Sequence, residues 1–239
     1  YEILSGLVGS EMCIRDRVTN VKSKSDAIFI LDGAQLVPHR FVDVQDLGID
    51  FLCVSGHKML GPTGIGVVWG RKELWDSMDP VYGGGDMIEE VYYDKATWAP
   101  VPHKFEAGTP PFVEAIGLGV AAEYLMNISM SEVQQHSDSL REYAKSKLEN
   151  IDGLNVIHSI SKNAGCTFAM SVEGAHAADI SLMLDTYGVA VRAGHHCVQP
   201  FHRKLKLDAT FRATGYIYNN EEDFDTLAYA IENSIKMLK

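Results

Sequence analysis

Short apolar runs, each closed by glycine or a polar residue, dominate the first half of the chain. Ala27-Ile-Phe-Ile-Leu31 is β-branched and aromatic, which predicts a fully buried strand that delivers Asp32-Gly33 at its C-terminal end. Phe51 to Val54 and Ile65 to Trp69 predict two more strands, separated by Ser55-Gly56-His57-Lys58 and a Gly-Pro-Thr-Gly turn at 61 to 64. Leu74 to Met78 reads as a short helix, Gly83-Gly84-Gly85 as a loop and Val91-Tyr-Tyr93 as β-like. From Val113 through Met126 the pattern turns helical, and after a break it resumes over Ser131 to Leu148 with Ser131 as N-cap. Beyond it, strands predicted at Asn155 to His158, Thr167 to Val172, Val189 to Arg192 and Thr210 to Ile217 alternate with helices at Ala177 to Tyr187 and Glu221 to Leu238. That alternation predicts a second domain of two-layer α/β type.

Composition narrows the function classes. The 239 residues carry a formal net charge of −11, with 46% hydrophobic and 22% charged residues, an ordinary balance for a folded protein rather than a disordered one. No cluster of Lys and Arg offers a track for a phosphate backbone, so nucleic acid is not expected as a partner. The apolar runs fall far short of the about 20 residues that cross a bilayer, so no membrane span is expected. The four cysteines, Cys13, Cys53, Cys166 and Cys197, are scattered without a Cys-x-x-Cys pair, which argues against a disulfide framework or a zinc ribbon and fits a reducing, cytoplasmic compartment.

Tyr1 to Arg17 (YEILSGLVGSEMCIRDR) has neither the basic start nor the cleavage pattern of a signal peptide. It resembles translated adapter sequence of the kind that contaminates assemblies, and it is set apart from the functional reading as a non-matching, artefactual N-terminal segment; an irregular but genuine segment is the alternative.

Candidate chemistry gathers at strand ends, where α/β proteins place it. Lys58 is the only fully charged residue between Asp50 and Arg71. A lysine in such surroundings can lose amine pKa to desolvation and act as a Schiff-base nucleophile, although a lysine reaching from a loop into water is the ordinary reading. Asp32 ends the preceding strand. A carboxylate opposite a lysine suits pyridoxal phosphate, whose ring nitrogen needs an acid and whose aldehyde needs an amine; a turn-capping aspartate is the alternative. Ser55 and His57 supply a hydroxyl, an imidazole and backbone amides suited to a phosphate.

In Arg192-Ala-Gly-His-His-Cys197, three potentially cationic side chains flank a cysteine, surroundings that lower a thiol pKa and mark Cys197 as a reactive candidate. A core cysteine, or a metal site of His195, His196, Cys197 and His202, are the alternatives; neighbouring side chains on an extended chain point apart, so no metal is expected. Arg212 falls on a late strand and can grip a carboxylate with both edges of its guanidinium.

Together, ILDGAQ at 30 to 35, SGHKMLGPTGIGVVW at 55 to 69, YGGGDMI at 82 to 88, FEAGTP at 105 to 110, VRAGHHC at 191 to 197 and FRAT at 211 to 214 resemble the group II, SufS-like cysteine desulfurases of the class V aminotransferase family. The resemblance runs from about Ala27 to the C-terminus. It implies a fold-type I, pyridoxal phosphate-dependent transferase of α/β class: residues 18–125 as the C-terminal part of the large doubly wound cofactor-binding domain, and 126–239 as a small α/β domain carrying the active cysteine. It implies Lys58 as the cofactor lysine, Asp32 on the ring nitrogen, Gln35 on the phenolic oxygen, and Ser55 and His57 on the phosphate, joined by Thr109 from the other subunit of a homodimer. Arg212 would bind the carboxylate of L-cysteine, and Asn20, in a Thr19-Asn20-Val21 echo of the family's VSNV motif, would lie on the substrate side. Cys197 would take the sulfur as a persulfide, leaving alanine, and pass it to a SufE-like acceptor for iron-sulfur cluster assembly.

The family's long segment upstream of ILDGAQ is nearly missing, so the chain reads as the C-terminal part of an enzyme. Competing expectations are a selenocysteine lyase or another class V lyase sharing Lys58, Asp32 and Arg212, and an inactive truncated fragment that binds no cofactor.

Overall fold

The computed structural model describes residues 11–157 and 164–238. These form two compact units, Glu11–Met130 and the chain from Ser131 onward.

The first unit begins with helix α1 (Glu11–Lys22). This helix starts inside the segment set apart by sequence and runs past its boundary at Arg17, because Val18 is buried and Ile14, one turn earlier, packs beside it. Strand β1 (Ile30–Asp32) lies parallel to β2 (Phe51–Ser55), which pairs antiparallel with β3 (Gly66–Gly70), so the sheet order is β1-β2-β3. β3 returns antiparallel because only a short loop joins it to β2, whereas a parallel return needs a crossover of a dozen residues or more. Between β1 and β2, the short helix α2 (Val44–Leu47) is capped by Asp43, whose carboxylate accepts from the amides of Gln45 and Asp46, and ends on Gly48 at φ 67°. Leu47, Ile49 and Leu52 form a small core with Val18.

The expected fully buried strand over 27–31 is shorter and more exposed than its composition implies. Ile30 is 68% exposed, since β1 pairs with β2 alone among the described residues and its outer edge is open. Helix α3 (Lys72–Ser77) follows β3, and Trp75 packs edge-on against Phe51 at 4.9 Å and against Phe105 at 4.7 Å between ring centres. A hairpin of β4 (Ile88–Val91) and β5 (Ala96–Trp98) precedes helix α4 (Phe112–Ile128).

Helix α5 (Met130–Leu148) opens the second unit. The break lies at Ser129, at φ 79°, and Ser131 is inside the helix rather than its cap. The sheet order is β6-β7-β9-β8, all antiparallel, from β6 (Leu154–Ile157), β7 (Thr167–Val172), β8 (Arg192–Gly194) and β9 (Thr210–Thr214). The predicted end of the first strand, His158, lies outside the described residues. Helices α6 (Ala177–Asp185) and α8 (Glu221–Leu238) join α5 in a core with Phe168, Met170, Val172, Phe211 and Ala213, the alternate residues of β7 and β9. The opposite face of the sheet therefore carries Thr167, Ala169, Thr210, Arg212 and Thr214. One end of it is covered by helix α7 (Gln199–Leu205), a helix the sequence pattern did not predict. α8 starts on a reciprocal cap in which Asn220 accepts from the Asp223 amide and Asp223 from the Asn220 amide.

One carboxylate anchors the first unit. Asp50, buried just ahead of β2, accepts from Lys22 Nζ at 2.7 Å and the Phe29 amide at 2.9 Å, and pairs with Arg71 Nε at 3.1 Å. Burial pushes its carboxyl up, but the Lys22 and Phe29 hydrogen bonds and the charges of Lys22 and Arg71 outweigh that and hold it below its ordinary value. Asp50→Asn removes the charge from this hub and is expected to cost about 1–3 kcal/mol in urea unfolding. A carboxyl depressed in the folded state stabilises fully above its unfolded pKa, and the contribution is lost as pH falls through the folded value. The difference between wild type and Asp50→Asn should thus be largest near neutral pH and shrink in strong acid.

Candidate active site

In the first unit, the parallel register Asp32↔Cys53 brings the C-terminal ends of β1 and β2 to the same end of the sheet. Asp32 stands exposed there, and its Oδ1 accepts from the Ala34 amide at 3.0 Å, so the turn role weighed from sequence is present beside any other. The next residue is closely packed: a Cβ on Gly33 would lie 2.6 Å from Leu52 Cδ1 and 3.1 Å from the Cys53 carbonyl oxygen, so a larger residue would require Leu52 to move. Gln35 is exposed in the turn that follows.

β2 runs out at Ser55 into a 3-10 turn over Gly56–Met59 that carries His57 and Lys58. Ser55 Oγ and His57 Nδ1 are 3.1 Å apart, forming a paired hydroxyl and imidazole. The turn is pinned at both ends. The Gly56 amide donates to the Ile65 carbonyl and the Gly61 amide to the Gly56 carbonyl, and a Cβ on Gly61 would come within 2.9 Å of that same carbonyl oxygen. Lys58 is half-buried, and among the described residues no hydrogen bond or ion pair engages its amine. An uncommitted amine, a carboxylate and a hydroxyl-imidazole pair at the same end of the β1–β2 pair are a set suited to a phosphorylated aldehyde cofactor.

Thr109 is exposed and follows Gly108 at φ 79°; the Gly108 amide donates to the Gly85 carbonyl at 2.9 Å, which brings two motifs read separately in the sequence, YGGGDMI and FEAGTP, into contact. Asn20 is placed differently. It is exposed on α1, and Lys22 ties the end of that helix to Asp50, at the N-terminal end of β2 rather than the end that bears Lys58. The structure shows no contact between Asn20 and the Asp32–Lys58 group.

In the second unit, β8 and β9 place Arg192 directly opposite Arg212, both on the sheet face turned away from the helices. Neither guanidinium has an ion pair among the described residues. Like charges facing each other across a ladder destabilise it, so this pair is poised for an anion. Burial lowers the Arg212 pKa most, the Arg192 charge lowers it further, and the nearby Cys197 sulfur pulls the other way. Cys197 is exposed, three residues beyond Gly194. Arg192 was legible only as a cation flanking the cysteine; its pairing with Arg212 needs the strand register. Among the described residues no three His, Cys, Asp or Glu side chains come together as ligands for a metal ion, and none of His195, His196, Cys197 and His202 joins such a group.

The class-V aminotransferase family matches residues 2–227, and the chain belongs to that family. It is 42% identical over 231 residues to a probable cysteine desulfurase of Halalkalibacterium halodurans, covering 97% of this chain and 56% of that protein. It is 45% identical over 205 residues to a cysteine desulfurase of Haloferax volcanii, covering 86% of this chain and 48% of that protein. Among solved structures, the cysteine desulfurase CsdA of Escherichia coli, in an S-sulfonic acid form, superposes with a TM-score of 0.88 at 36% identity over 95% of this chain and 56% of that one. The apo cysteine desulfurase of Thermococcus onnurineus NA1 gives 0.88 at 32% identity, over 94% of this chain and 56% of that one. The fold is therefore that of the cysteine desulfurases, and the chain spans about half the length of the curated relatives it matches.

The three cysteines with described side chains differ in exposure. Cys197 is exposed, Cys53 half-buried, and Cys166 buried, with its thiol pushed up to about 11, chiefly by desolvation. Brief iodoacetamide treatment of the native protein near pH 8, followed by peptide mass mapping, should label Cys197 first and leave Cys166 unmodified until the protein is denatured.

Proposed function

We propose that this chain is part of a pyridoxal 5'-phosphate-dependent cysteine desulfurase of the group II, SufS-like kind. The carrying observation is the placement of Asp32, Ser55, His57 and Lys58 at one end of the β1–β2 pair. On this reading residues 18–125 are the C-terminal part of the cofactor-binding domain and 126–239 the small domain; the two compact units meeting at Met130 support that division.

Lys58 would hold the cofactor by its aldehyde carbon, Asp32 would keep the ring nitrogen protonated, and Gln35 would bond the phenolic oxygen. Ser55 and His57 take the phosphate, with Thr109 supplied by a second copy in a homodimer. The cofactor supplies an electron sink for the carbanion formed at the substrate Cα. Arg212 would bind the L-cysteine carboxylate through both guanidinium edges, whereas Asn20, at the other end of β2, is given no role. Lys58 Nζ would serve as the base that takes the Cα proton. The Cys197 thiolate would attack the substrate sulfur: the S–S bond forms as the Cβ–S bond breaks, the electron pair stays with Cβ, and protonation of Cβ together with return of the Cα proton from Lys58 gives L-alanine. The net change is one thiol and L-cysteine to one persulfide and L-alanine, in redox balance. The persulfide passes to a SufE-like acceptor for iron-sulfur cluster assembly in the cytoplasm, a setting with which three unpaired cysteines agree.

Adding pyridoxal phosphate to the purified chain should produce a visible absorption band, and borohydride reduction should fix the mass increment on Lys58. Lys58→Ala should abolish both, and increments spread over surface lysines would refute the site. In the whole protein, Cys197→Ser should retain the band yet lose alanine production from L-cysteine by about a hundredfold or more.

A further inference from the structure

The segment that presents Cys197 is held in an unfavourable backbone shape. After Gly194, His196 and Cys197 adopt φ of 51° and 63°, two successive left-handed residues of which neither is glycine. Such a conformation is unfavourable for residues with a Cβ, so the arrangement persists only where its surroundings impose it.

The surroundings converge on Thr210. This residue is 1% exposed and lies opposite Gly194 in the β8–β9 ladder. Its carbonyl accepts from His196 Nε2 at 3.1 Å, on the residue before the cysteine. Its hydroxyl lies 3.1 Å from Nε2 of His202, which is 4% exposed on α7, the helix that follows the cysteine. His202 Nδ1 in turn lies 3.3 Å from the Val198 carbonyl oxygen. The partners fix the tautomers. A carbonyl only accepts, so His196 donates from Nε2 to Thr210 and His202 from Nδ1 to Val198; with His202 neutral, the Thr210 hydroxyl then donates to its Nε2. A turn in which the Val198 amide donates to the His195 carbonyl at 2.9 Å closes the loop over the cysteine. One buried threonine thus grips the chain on both sides of Cys197.

We propose that Thr210, His202 and His196 are positioning residues that hold Cys197 in its left-handed, exposed geometry, and that they serve the sulfur-accepting step rather than cofactor or carboxylate binding. The role assigned to that step rests on the desulfurase reading; the anchoring of the loop does not.

The test compares Thr210→Val, which keeps shape and carbonyl but loses the hydroxyl, with Thr210→Ser, which keeps both polar groups; His202→Phe serves as a second lesion should Thr210→Val not fold. Amide hydrogen exchange over residues 195–198 of the purified chain should quicken about tenfold in Thr210→Val or His202→Phe and stay within twofold of wild type in Thr210→Ser, with β7 and α8 unchanged. In the whole protein, kcat for alanine formation should fall about tenfold in the first two variants with KM within twofold, and Thr210→Ser should restore it. Exchange over 195–198 that is unchanged in both lesions would overturn the anchor. A quickened loop with kcat unchanged would overturn its role in sulfur transfer. A quickened loop in a protein whose wild type makes no alanine would count against the desulfurase reading while upholding the anchor.

Discussion

The first unit depends on where one buried negative charge sits. Asp50 binds the end of α1, the residue leading into β1 and the residue leaving β3, so three segments distant in sequence are fixed to the start of β2. Each strand is only three to five residues long, too short to set its own place by ladder hydrogen bonds alone. With the N-terminal ends fixed, the C-terminal ends are fixed too, and these carry Asp32 and the lysine turn. A charge with no part in chemistry thereby governs the spacing of groups that have one.

The second unit solves a different problem. Its helices occupy one sheet face and leave the other for polar work, so alternation along β9 sorts Phe211 and Ala213 into the core and Thr210 and Arg212 onto the open side. α7 then covers Thr210 but not Arg212, which makes one of these two neighbours a structural post and leaves the other available to a ligand.

Local pattern carried much of this. The Asp32-Gly33 strand end, the lysine turn bounded by glycines and the helices over 177–185 and 221–238 follow from periodicity and turn chemistry, because each is decided by neighbours in sequence. What escaped depends on partners far along the chain. The exposure of β1 reflects its place at the edge of the sheet among the described residues; α1 is secured by Ile14 and Val18 meeting residues past position 40; and α7 holds through His202 and Thr210. The motif with Arg192 and Cys197 was legible as chemistry, whereas the facing of Arg192 and Arg212 is a property of register, and register was not readable from strands of this length.

That facing pair ties occupancy to folding. Among the described residues neither guanidinium has an ion-pair partner, and their mutual repulsion works against the β8–β9 pairing. An anion lodged between them would turn the repulsion into a bridge, and the free energy of that bridge would appear as added stability of the edge strand. An anion there would thus stiffen this edge of the sheet, and salt, by screening both the repulsion and the bridge, would narrow the difference between empty and filled states.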